Sequence, residues 1–341
     1  MKIIYSPKHI LHATEHITLD GQPFIVEELP ARAETILAAL QGTSLGPILP
    51  PEDHSLEPVI TVHDADFVTY LRNAYAENAI WLGHEEAVIP GTFAVGRRDM
   101  PPPVSIAGKR GYYAFGIGSP ILAGTWEAAY WSAQCALTAS DAVLASRCNA
   151  YALCRPPGHH AARNLYGGFC YLNNAAIAAR YLQQHTQSRI AILDVDFHHG
   201  NGTQAIFYED PTVFYVSLHA DPRYDYPFYW GFAEERGAGV GLGTNLNIPL
   251  PKGTNDTSYL TALDKALETL HTFAPEILVL SLGLDTAEGD GVGGMKITPT
   301  GFQAIGERIA ALGLPAVIVQ EGGYRMDTLG TNAVAILEVF A

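Results

Sequence analysis

Residues 189–204 read RIAILDVDFHHGNGTQ, and the stretch changes character halfway along. Residues 190–193 are apolar without interruption, which is the pattern of a parallel β-strand covered on both faces. Four ionisable residues follow, at Asp194, Asp196, His198 and His199. Burying such groups costs several kcal/mol each unless they pair or bind a cation. We therefore expect the end of this strand to hold a positive charge.

Similar apolar runs predict buried strands at 2–6, 150–154, 189–196, 212–219, 276–285 and 315–323. Helical patterns separate them, at 125–146 with Thr125 as N-cap, 174–185 opening at Asn174, 256–273, and 299–312 after Thr298. This alternation predicts an α/β fold with a mostly parallel central sheet covered by helices on both faces. Ligands of such sheets bind outside the carboxyl ends of the strands, so strand ends are the places to search for chemistry.

The composition of the 341 residues indicates a large core wrapped in shaped loops. Hydrophobic residues make up 48% and charged residues only 16%, with 33 glycines and 22 prolines. The charged share lies well below the roughly 25% usual in soluble domains. No repeat or linker divides the chain, so we expect one domain over residues 1–341. A proline- and glycine-rich segment, 86–120, is predicted to be a structured loop.

The net charge of −15 argues against nucleic acid or an anionic membrane as a partner. It suits a cationic substrate, although acidic soluble proteins are common. The four cysteines form no CxxC pair, which is typical of buried thiols in a reducing compartment. The N-terminal apolar run is too short for a signal peptide, and no stretch approaches the ~18 apolar residues of a membrane span. We expect a cytoplasmic protein.

Two strand ends carry candidate metal ligands. Asp196 and His198 stand at i and i+2, so an extended backbone points both to one side, a face that Asp194 shares. Asp285 ends a second apolar strand in LSLGLDTAEGD (280–290). Two aspartates and one histidine leave an open position for water, as a catalytic zinc site requires. The alternatives are solvated loop charges or an Asp–His pair, and a turn or cap role for Asp285.

Two further segments carry candidate catalytic groups. In CRPPGHHAARNLYGGFCYLNN (154–174), His159 and His160 follow a rigid turn. One imidazole can act as general base while the other stays charged, and Asp194 can orient one of them. In VIVQEGGYRMDTLG (318–330), the Tyr324 hydroxyl can donate to a developing oxyanion. The alternatives are histidines in a surface loop and a tyrosine packed over a turn.

The motifs RPPGHHA, DVDFHHGNGTQ, SLGLDTAEGD and EGGY occur in this order. Together they resemble the histone deacetylase family in its broad sense, which includes acetylpolyamine amidohydrolases. The resemblance implies a single-domain, arginase-like α/β fold with about eight parallel strands in the central sheet. It also implies one Zn²⁺ per subunit, with Fe²⁺ as an alternative native metal, and hydrolysis of an N-acetyl amide to a free amine and acetate.

The resemblance also assigns roles to residues. It makes Asp196, His198 and Asp285 the zinc ligands, His160 the general base and later acid, His159 a mainly electrostatic group oriented by Asp194, and Tyr324 the donor to the carbonyl oxygen. It places Gly168, Phe169 and Tyr226 in a substrate tunnel. A structural K⁺ site would use Asp194, Ser217 and Leu218, with backbone oxygens of Asp196 and His198. Class I histone deacetylases carry aspartate at the position of Asn201, so a neutral partner is expected to leave His160 less cationic.

The residues of these motifs and of the GTWEAA segment are most similar to those of bacterial acetylpolyamine amidohydrolases. Those enzymes are typically homodimers in which a long loop narrows the tunnel mouth, and 86–120 stands where that loop is expected. Some relatives place a glutamate just before the glycine that precedes GYY. SIAGKRGYY offers Ala107 there, with Lys109 and Arg110 nearby, which favours short acetylated diamines over long polyamines.

Three other functions compete with this reading. A protein lysine deacetylase would need an open rim around the tunnel. A ureohydrolase of the arginase type would bind two Mn²⁺ through a DAHxD-type run, which DVDFH does not match. A non-catalytic amide-binding module is expected to have lost a ligand, a histidine or the tyrosine, and all six are present.

Overall fold

The apolar runs form strands where the sequence predicts them. A computed structural model describes residues 1–13, 16–19, 22–96 and 100–341. Its strands are β1 (Lys2–Tyr5), β2 (His16–Leu19), β3 (Gln22–Ile25), β4 (Ile48–Leu49), β5 (Ala150–Leu153), β6 (Ile190–Asp194), β7 (Val213–Ala220), β8 (Asn245–Leu250), β9 (Ile277–Leu282) and β10 (Ala316–Gln320). Eight of these form one sheet in the order β4-β1-β5-β10-β9-β6-β7-β8, and every pairing in it is parallel. β2 and β3 pair separately, antiparallel.

Helices cover the sheet. They are α1 (Pro30–Gln41), α2 (Glu57–Ile60), α3 (Ala65–Leu82), α4 (Ile106–Tyr112), α5 (Thr125–Ser146), α6 (Asn174–Thr186), α7 (Asn201–Phe207), α8 (Asp256–Phe273), α9 (Pro299–Ala310) and α10 (Met326–Leu337). No helix in the described ranges combines the length and hydropathy that crossing a membrane requires.

Each strand supplies two cores because successive side chains face opposite sides of the sheet. Ile192 packs in the core that includes residues of α5 and α6, and Leu193 packs in the core that includes residues of α8, α9 and α10. Both residues are fully buried. The uninterrupted apolar runs follow from this burial on both sides. The predicted α/β fold with an eight-stranded parallel sheet is confirmed.

The helix N-termini correct one prediction, the cap at Thr125, and confirm the helix start at Asn174 and the cap at Thr298. Thr125 is not the N-cap of α5; Gly124 holds that position, and Thr125 Oγ1 accepts from the Leu122 amide at 2.7 Å. The cap of α6 is Asn173, whose side chain accepts from the Ala176 amide at 2.9 Å, so Asn174 is the first helical residue. Thr298 caps α9 as predicted. Neighbouring polar residues can each form a cap, and the backbone conformation selects between them.

Segment 86–120 is more regular than predicted. It contains α4, and Val88 and Ile121 pair by reciprocal backbone hydrogen bonds that close its two ends. The predicted structured loop therefore includes a short helix. Residues 97–99 of this segment lie outside the described residues.

Candidate active site

The four predicted strand ends belong to four strands that are adjacent in the sheet. β5, β10, β9 and β6 are neighbours at the centre of the sheet, and their carboxyl ends lie at the same edge because the strands are parallel. The segments that follow these strands meet at a cavity of about 500 Å³. The predicted residues that line it are His159, His160, Gly168, Phe169, Asp196, His198, Tyr226 and Tyr324.

The three predicted metal ligands converge at the base of this cavity. His198 Nδ1 lies 3.0 Å from Asp285 Oδ2 and 3.3 Å from Asp196 Oδ1. Their ligand atoms all lie within 4.8 Å of one another. Such spacing suits one cation bound at about 2 Å from each atom.

A backbone amide from the end of another strand fixes one oxygen of each carboxylate. The Gly322 amide donates to Asp196 Oδ2 at 2.8 Å, and the Phe197 amide donates to Asp285 Oδ1 at 2.8 Å. Gly322 and Gly283 allow this close approach, since a Cβ at either would stand within 2.6 Å of an Asp196 oxygen. The other two oxygens, Asp196 Oδ1 and Asp285 Oδ2, face His198 Nδ1, and Asp196 Oδ1 also accepts from the His198 amide at 2.9 Å.

The electrostatics call for a cation. Asp194, Asp196, Asp285 and Glu321 are all fully buried, and no lysine or arginine occurs among the described residues that line the cavity. Burial and then the charge of Asp196 raise the pKa of Asp285 to about 7. Buried carboxylates without a counter-charge are costly, so the donor set fits a divalent metal ion.

The adjacent histidines have opposite pKa shifts. Burial lowers the pKa of His159, but Asp196 and Asp194 outweigh it and raise that pKa to about 10. Burial lowers the pKa of His160 well below its usual value, and the charges of His159 and His198 add to this. At neutral pH the pair therefore holds one imidazolium and one neutral imidazole, which suits an acid–base division of labour.

Hydrogen bonds orient both rings. His159 Nδ1 lies 3.0 Å from Asp194 Oδ2, which also accepts from the Tyr215 hydroxyl at 3.1 Å. His160 Nδ1 lies 2.7 Å from Asn201 Oδ1. An Nδ1–H that donates to this oxygen leaves Nε2 of neutral His160 with a free lone pair. His160 can thus accept a proton within the cavity.

Tyr324 lines the cavity on the side of the β10 loop. The guanidinium of Arg32 lies 4.4 Å from the centre of its ring. Burial raises the pKa of the Tyr324 hydroxyl well above its usual value, against the lowering effect of Arg32. The hydroxyl therefore stays protonated at neutral pH and can donate a hydrogen bond.

Sequence reasoning missed Glu321. Its Oε2 accepts from the amides of Gly158 at 2.7 Å and His159 at 3.1 Å, which ties the β10 loop to the histidine turn. Glu321, His159 and Cys170 also have ligand atoms within 4.8 Å of one another. Burial raises the pKa of the Cys170 thiol well above its usual value, and a protonated thiol is a poor metal ligand.

Sequence reasoning also missed a buried charge cluster beneath the site. Glu28 Oε1 accepts from Arg32 Nη1 at 2.6 Å and from Arg155 Nε at 2.9 Å. Arg32 also donates to the backbone oxygens of Glu321 at 2.7 Å and Gly323 at 2.5 Å. The sequence does not predict this cluster, because Arg155 and the backbone oxygens that Arg32 contacts lie far from Glu28 in the chain.

Aromatic side chains form the walls of the cavity. Phe169 has a positive φ of 66° after Gly168 at 58°, and its amide donates to Ser119 Oγ at 2.7 Å. The Tyr226 ring lies 5.0 Å from the His160 ring and 6.3 Å from Phe115, to which it is stacked. The Tyr226 hydroxyl is buried and has no hydrogen-bond partner among the described residues.

The residues of the predicted K⁺ site lie behind the cavity. Asp194 and Ser217 are register partners across β6 and β7, and Leu218 follows on β7 with its side chain in the core. Ser217 Oγ lies 2.8 Å from His219 Nδ1. None of these three lines the cavity.

The chain belongs to the histone deacetylase family, whose domain matches residues 26–340. This confirms the family that the motifs predict. Two similar proteins are acetylpolyamine amidohydrolase 1 of Pseudomonas aeruginosa, 43% identical over 99% of this chain and 98% of the relative, and the acetylpolyamine amidohydrolase of Mycoplana ramosa, 41% identical over 99% of both. A crystal structure of acetylpolyamine aminohydrolase from Burkholderia pseudomallei superposes with a TM-score of 0.93, at 40% identity, over 100% of this chain and 98% of the other.

Proposed function

We propose that this chain is a metal-dependent amidohydrolase that removes the acetyl group from N-acetylated polyamines and diamines. The observation that carries the proposal is the Asp196–His198–Asp285 group at the base of an aromatic cavity, beside two histidines with opposite pKa shifts. The full-length similarity to acetylpolyamine amidohydrolases supports the substrate class. The whole of residues 1–341 would form one catalytic domain.

The proposed metal is Zn²⁺, with Fe²⁺ as an alternative, held by Asp196, His198 and Asp285. Bound there, it would polarise the amide carbonyl and lower the pKa of a water molecule. The imidazolium of His159 would stabilise negative charge beside it, and Asp194 would keep that ring in place.

The protein groups then carry the proton. His160 Nε2 takes a proton from the attacking water as the new C–O bond forms, and the Tyr324 hydroxyl donates a hydrogen bond to the carbonyl oxygen as it becomes negative. His160 returns the proton to the amide nitrogen as the C–N bond breaks. This leaves acetic acid and the amine with His160 neutral again, and transfer of the acid proton to the amine gives acetate and an ammonium group.

The residues on and near the cavity bear on the length of the amine that the enzyme accepts. Neither Lys109 nor Arg110 lines it: Lys109 Nζ pairs with Glu77 at 3.0 Å, and Arg110 lies 4.9 Å from the centre of the Trp81 ring. These two cations therefore do not repel a long polyamine directly within the cavity. The preference for short acetylated diamines instead rests on the missing carboxylate at Ala107.

The test is a panel of substrates with defined metal. Acetylputrescine and acetylcadaverine should be hydrolysed faster than acetylspermine or an acetyl-lysine peptide. A chelator should abolish turnover and Zn²⁺ should restore it. Comparable activity on the peptide would favour a protein lysine deacetylase instead.

Asp285→Ala should lose both bound metal, measured by elemental analysis, and activity. Asp264→Ala, which removes a surface partner of Arg308, is the matched control and should retain both. Wild-type turnover in Asp285→Ala would contradict the proposed metal site.

Two further features are proposed from the family resemblance. A K⁺ ion would be held by Asp194, Ser217 and Leu218, and replacing K⁺ with a large organic cation should lower the unfolding temperature. A homodimer would form through segment 86–120, which exposes Val95 (85%) and Val104 (92%). Val104→Asp should then shift the mass in solution from two chains to one.

A further inference from the structure

We propose that Asp225 binds the distal ammonium group of the substrate and so makes the enzyme selective for amides that carry a second, cationic nitrogen. This inference rests on the proposed function and names the group that recognises its substrate. It starts from the charges around the cavity. Among the described residues that line it, Asp225 is the one carboxylate outside the metal site.

Asp225 lies towards the open end of the cavity. Its sequence neighbour Tyr224 is 73% exposed, and Phe228, which also lines the cavity, is 46% exposed. His159 and His160, at the base, are each only 3% exposed. Asp225 is half-buried and immediately precedes Tyr226, whose ring lies 6.0 Å from that of His198. A short aliphatic chain can therefore join the reacting amide to this carboxylate.

The carboxylate has no competing partner in the described parts of the chain. No hydrogen bond or ion pair of the Asp225 side chain occurs there, whereas nearby Asp221 pairs with Arg223. A half-buried carboxylate beside a cavity without lysine or arginine leaves a site of negative potential. Tyr224, Phe228 and Phe169 also line the cavity, and aromatic rings attract an ammonium group that lies over their faces.

The loop that carries Asp225 is held in place. The Asp225 amide donates to the Asp221 oxygen at 3.2 Å, and its own oxygen accepts from the Phe228 amide at 3.1 Å. At the far end of the loop, Glu235 Oε2 accepts from the Gly231 amide and from Gln204 Nε2, both at 2.8 Å. Because this backbone is held before the substrate arrives, binding of a cation by Asp225 does not require the loop to become ordered.

The test compares two amides of equal length that differ in charge. N-acetylputrescine ends in an ammonium, and N-pentylacetamide ends in a methyl group at the same position. For the wild type, kcat/KM for N-acetylputrescine divided by kcat/KM for N-pentylacetamide should exceed 1. In Asp225→Asn this ratio should fall about tenfold, mainly because the KM of N-acetylputrescine rises. Glu234→Gln removes the same charge from an exposed position on the same loop and should leave the ratio within about twofold.

A charge reversal gives a second, independent readout. Asp225→Lys should raise the kcat/KM for 4-acetamidobutanoate, which ends in a carboxylate, relative to that for N-acetylputrescine. Binding of the product putrescine, measured by calorimetry, should weaken about tenfold in Asp225→Asn and stay near wild type in Glu234→Gln.

The outcomes distinguish a failure of the Asp225 proposal from a failure of the proposed function. An unchanged amide ratio in Asp225→Asn, or an equal loss for both amides, would overturn the role of Asp225 while leaving deacetylation intact. If the wild type hydrolysed neither amide, the proposed function would fail, and the putrescine measurement would still decide whether Asp225 binds the ammonium group.

Discussion

At the scale of single residues, the site gives two neighbouring histidines different protonation states. His159 and His160 are neighbours in the chain with rings 4.1 Å apart, yet one has a carboxylate partner and the other an amide partner. The partners hold one ring charged and the other neutral, so two identical side chains can perform different tasks. Tyr324 contributes a donor that burial keeps protonated.

Tyr324→Phe removes the proposed oxyanion donor while keeping the ring beside Arg32. We expect kcat to fall by roughly 10²–10³-fold with a smaller change in KM, since one such donor is commonly worth about 3–4 kcal/mol in the transition state. Steady-state kinetics on N-acetylputrescine measure this. Unchanged kcat would show that the hydroxyl does not face the reacting carbonyl.

Asn201→Asp should move the pH dependence of the reaction. Burial and the two neighbouring histidines hold the pKa of His160 low, so the base stays neutral in moderately acidic solution. A carboxylate at this position stabilises the imidazolium and raises the pKa, so activity should be lost at a higher pH as the solution is acidified.

The acidic limb of kcat/KM is expected to shift upward by about one pH unit or more. Asn73→Asp adds the same charge at an exposed position and should leave the profile in place. Coincident profiles for all three proteins would mean that His160 is not the base.

At the scale of elements, long buried strands were predictable and edge or polar elements were not. β6 and β9 lie inside the sheet and read as continuous apolar runs. β8 lies at the edge, and its sequence NLNIPL mixes asparagines and a proline with the apolar residues. β4 has only two residues. α3 exposes Ile80 (83%) and Trp81 (50%), which blurs its apolar stripe.

Some residues of the candidate site were predictable from the sequence and others were not. Residues that belong to compact motifs, such as Asp196 with His198, were predictable because their spacing carries the signal. Glu28 and Arg32 were not, since they act through partners at 155, 321 and 323 that only the fold brings near. Glu321 was visible within EGGY, but its two amide partners were not.

The turn at Gly168 gives a prediction for a single element. With φ at 58°, a Cβ at Gly168 would stand 2.3 Å from His160 Cδ2. Gly168→Ala should therefore displace the His160 ring and lower kcat at least about 100-fold, because small misplacements of catalytic groups are costly.

Gly313→Ala is the matched control, since its φ is 66° and no atom lies within 4 Å of the added Cβ. Both variants strain the backbone by about 1–2 kcal/mol, but only the first should lose activity. Equal activity in the two would show that the turn can yield without moving the histidine.

At the scale of the whole molecule, the Glu28 cluster ties distant segments together. Glu28 lies before α1, Arg155 follows β5, and Arg32 reaches the loop after β10. Glu28→Gln would leave two buried arginines without their carboxylate. We expect the free energy of unfolding to fall by about 3 kcal/mol or more. Glu127→Gln, which breaks the half-exposed ion pair with Lys8, should cost less than about 1 kcal/mol.

The same cluster predicts an acid limit to stability. Burial would raise the pKa of Glu28, but Arg155 and Arg32 outweigh it and hold that pKa below 4.5. Its contribution is therefore complete above pH 4.5 and is lost as the pH falls through the lower, folded-state pKa. Urea unfolding of the wild type and Glu28→Gln should differ most near neutral pH and converge in acid. A constant difference down to pH 3 would contradict this assignment.

The order of the strands bears on how such a protein is made. Asp196 and Asp285 follow β6 and β9, which are sheet neighbours, yet β7, β8 and α8 separate them in the chain. During synthesis, a growing polypeptide presents Asp196 and His198 long before the third ligand leaves the ribosome. The proposed metal site would therefore be completed late in synthesis. A translation product that stops before Asp285 would lack one of the three proposed ligands and would not gain the stabilisation that a bound ion would give the finished chain.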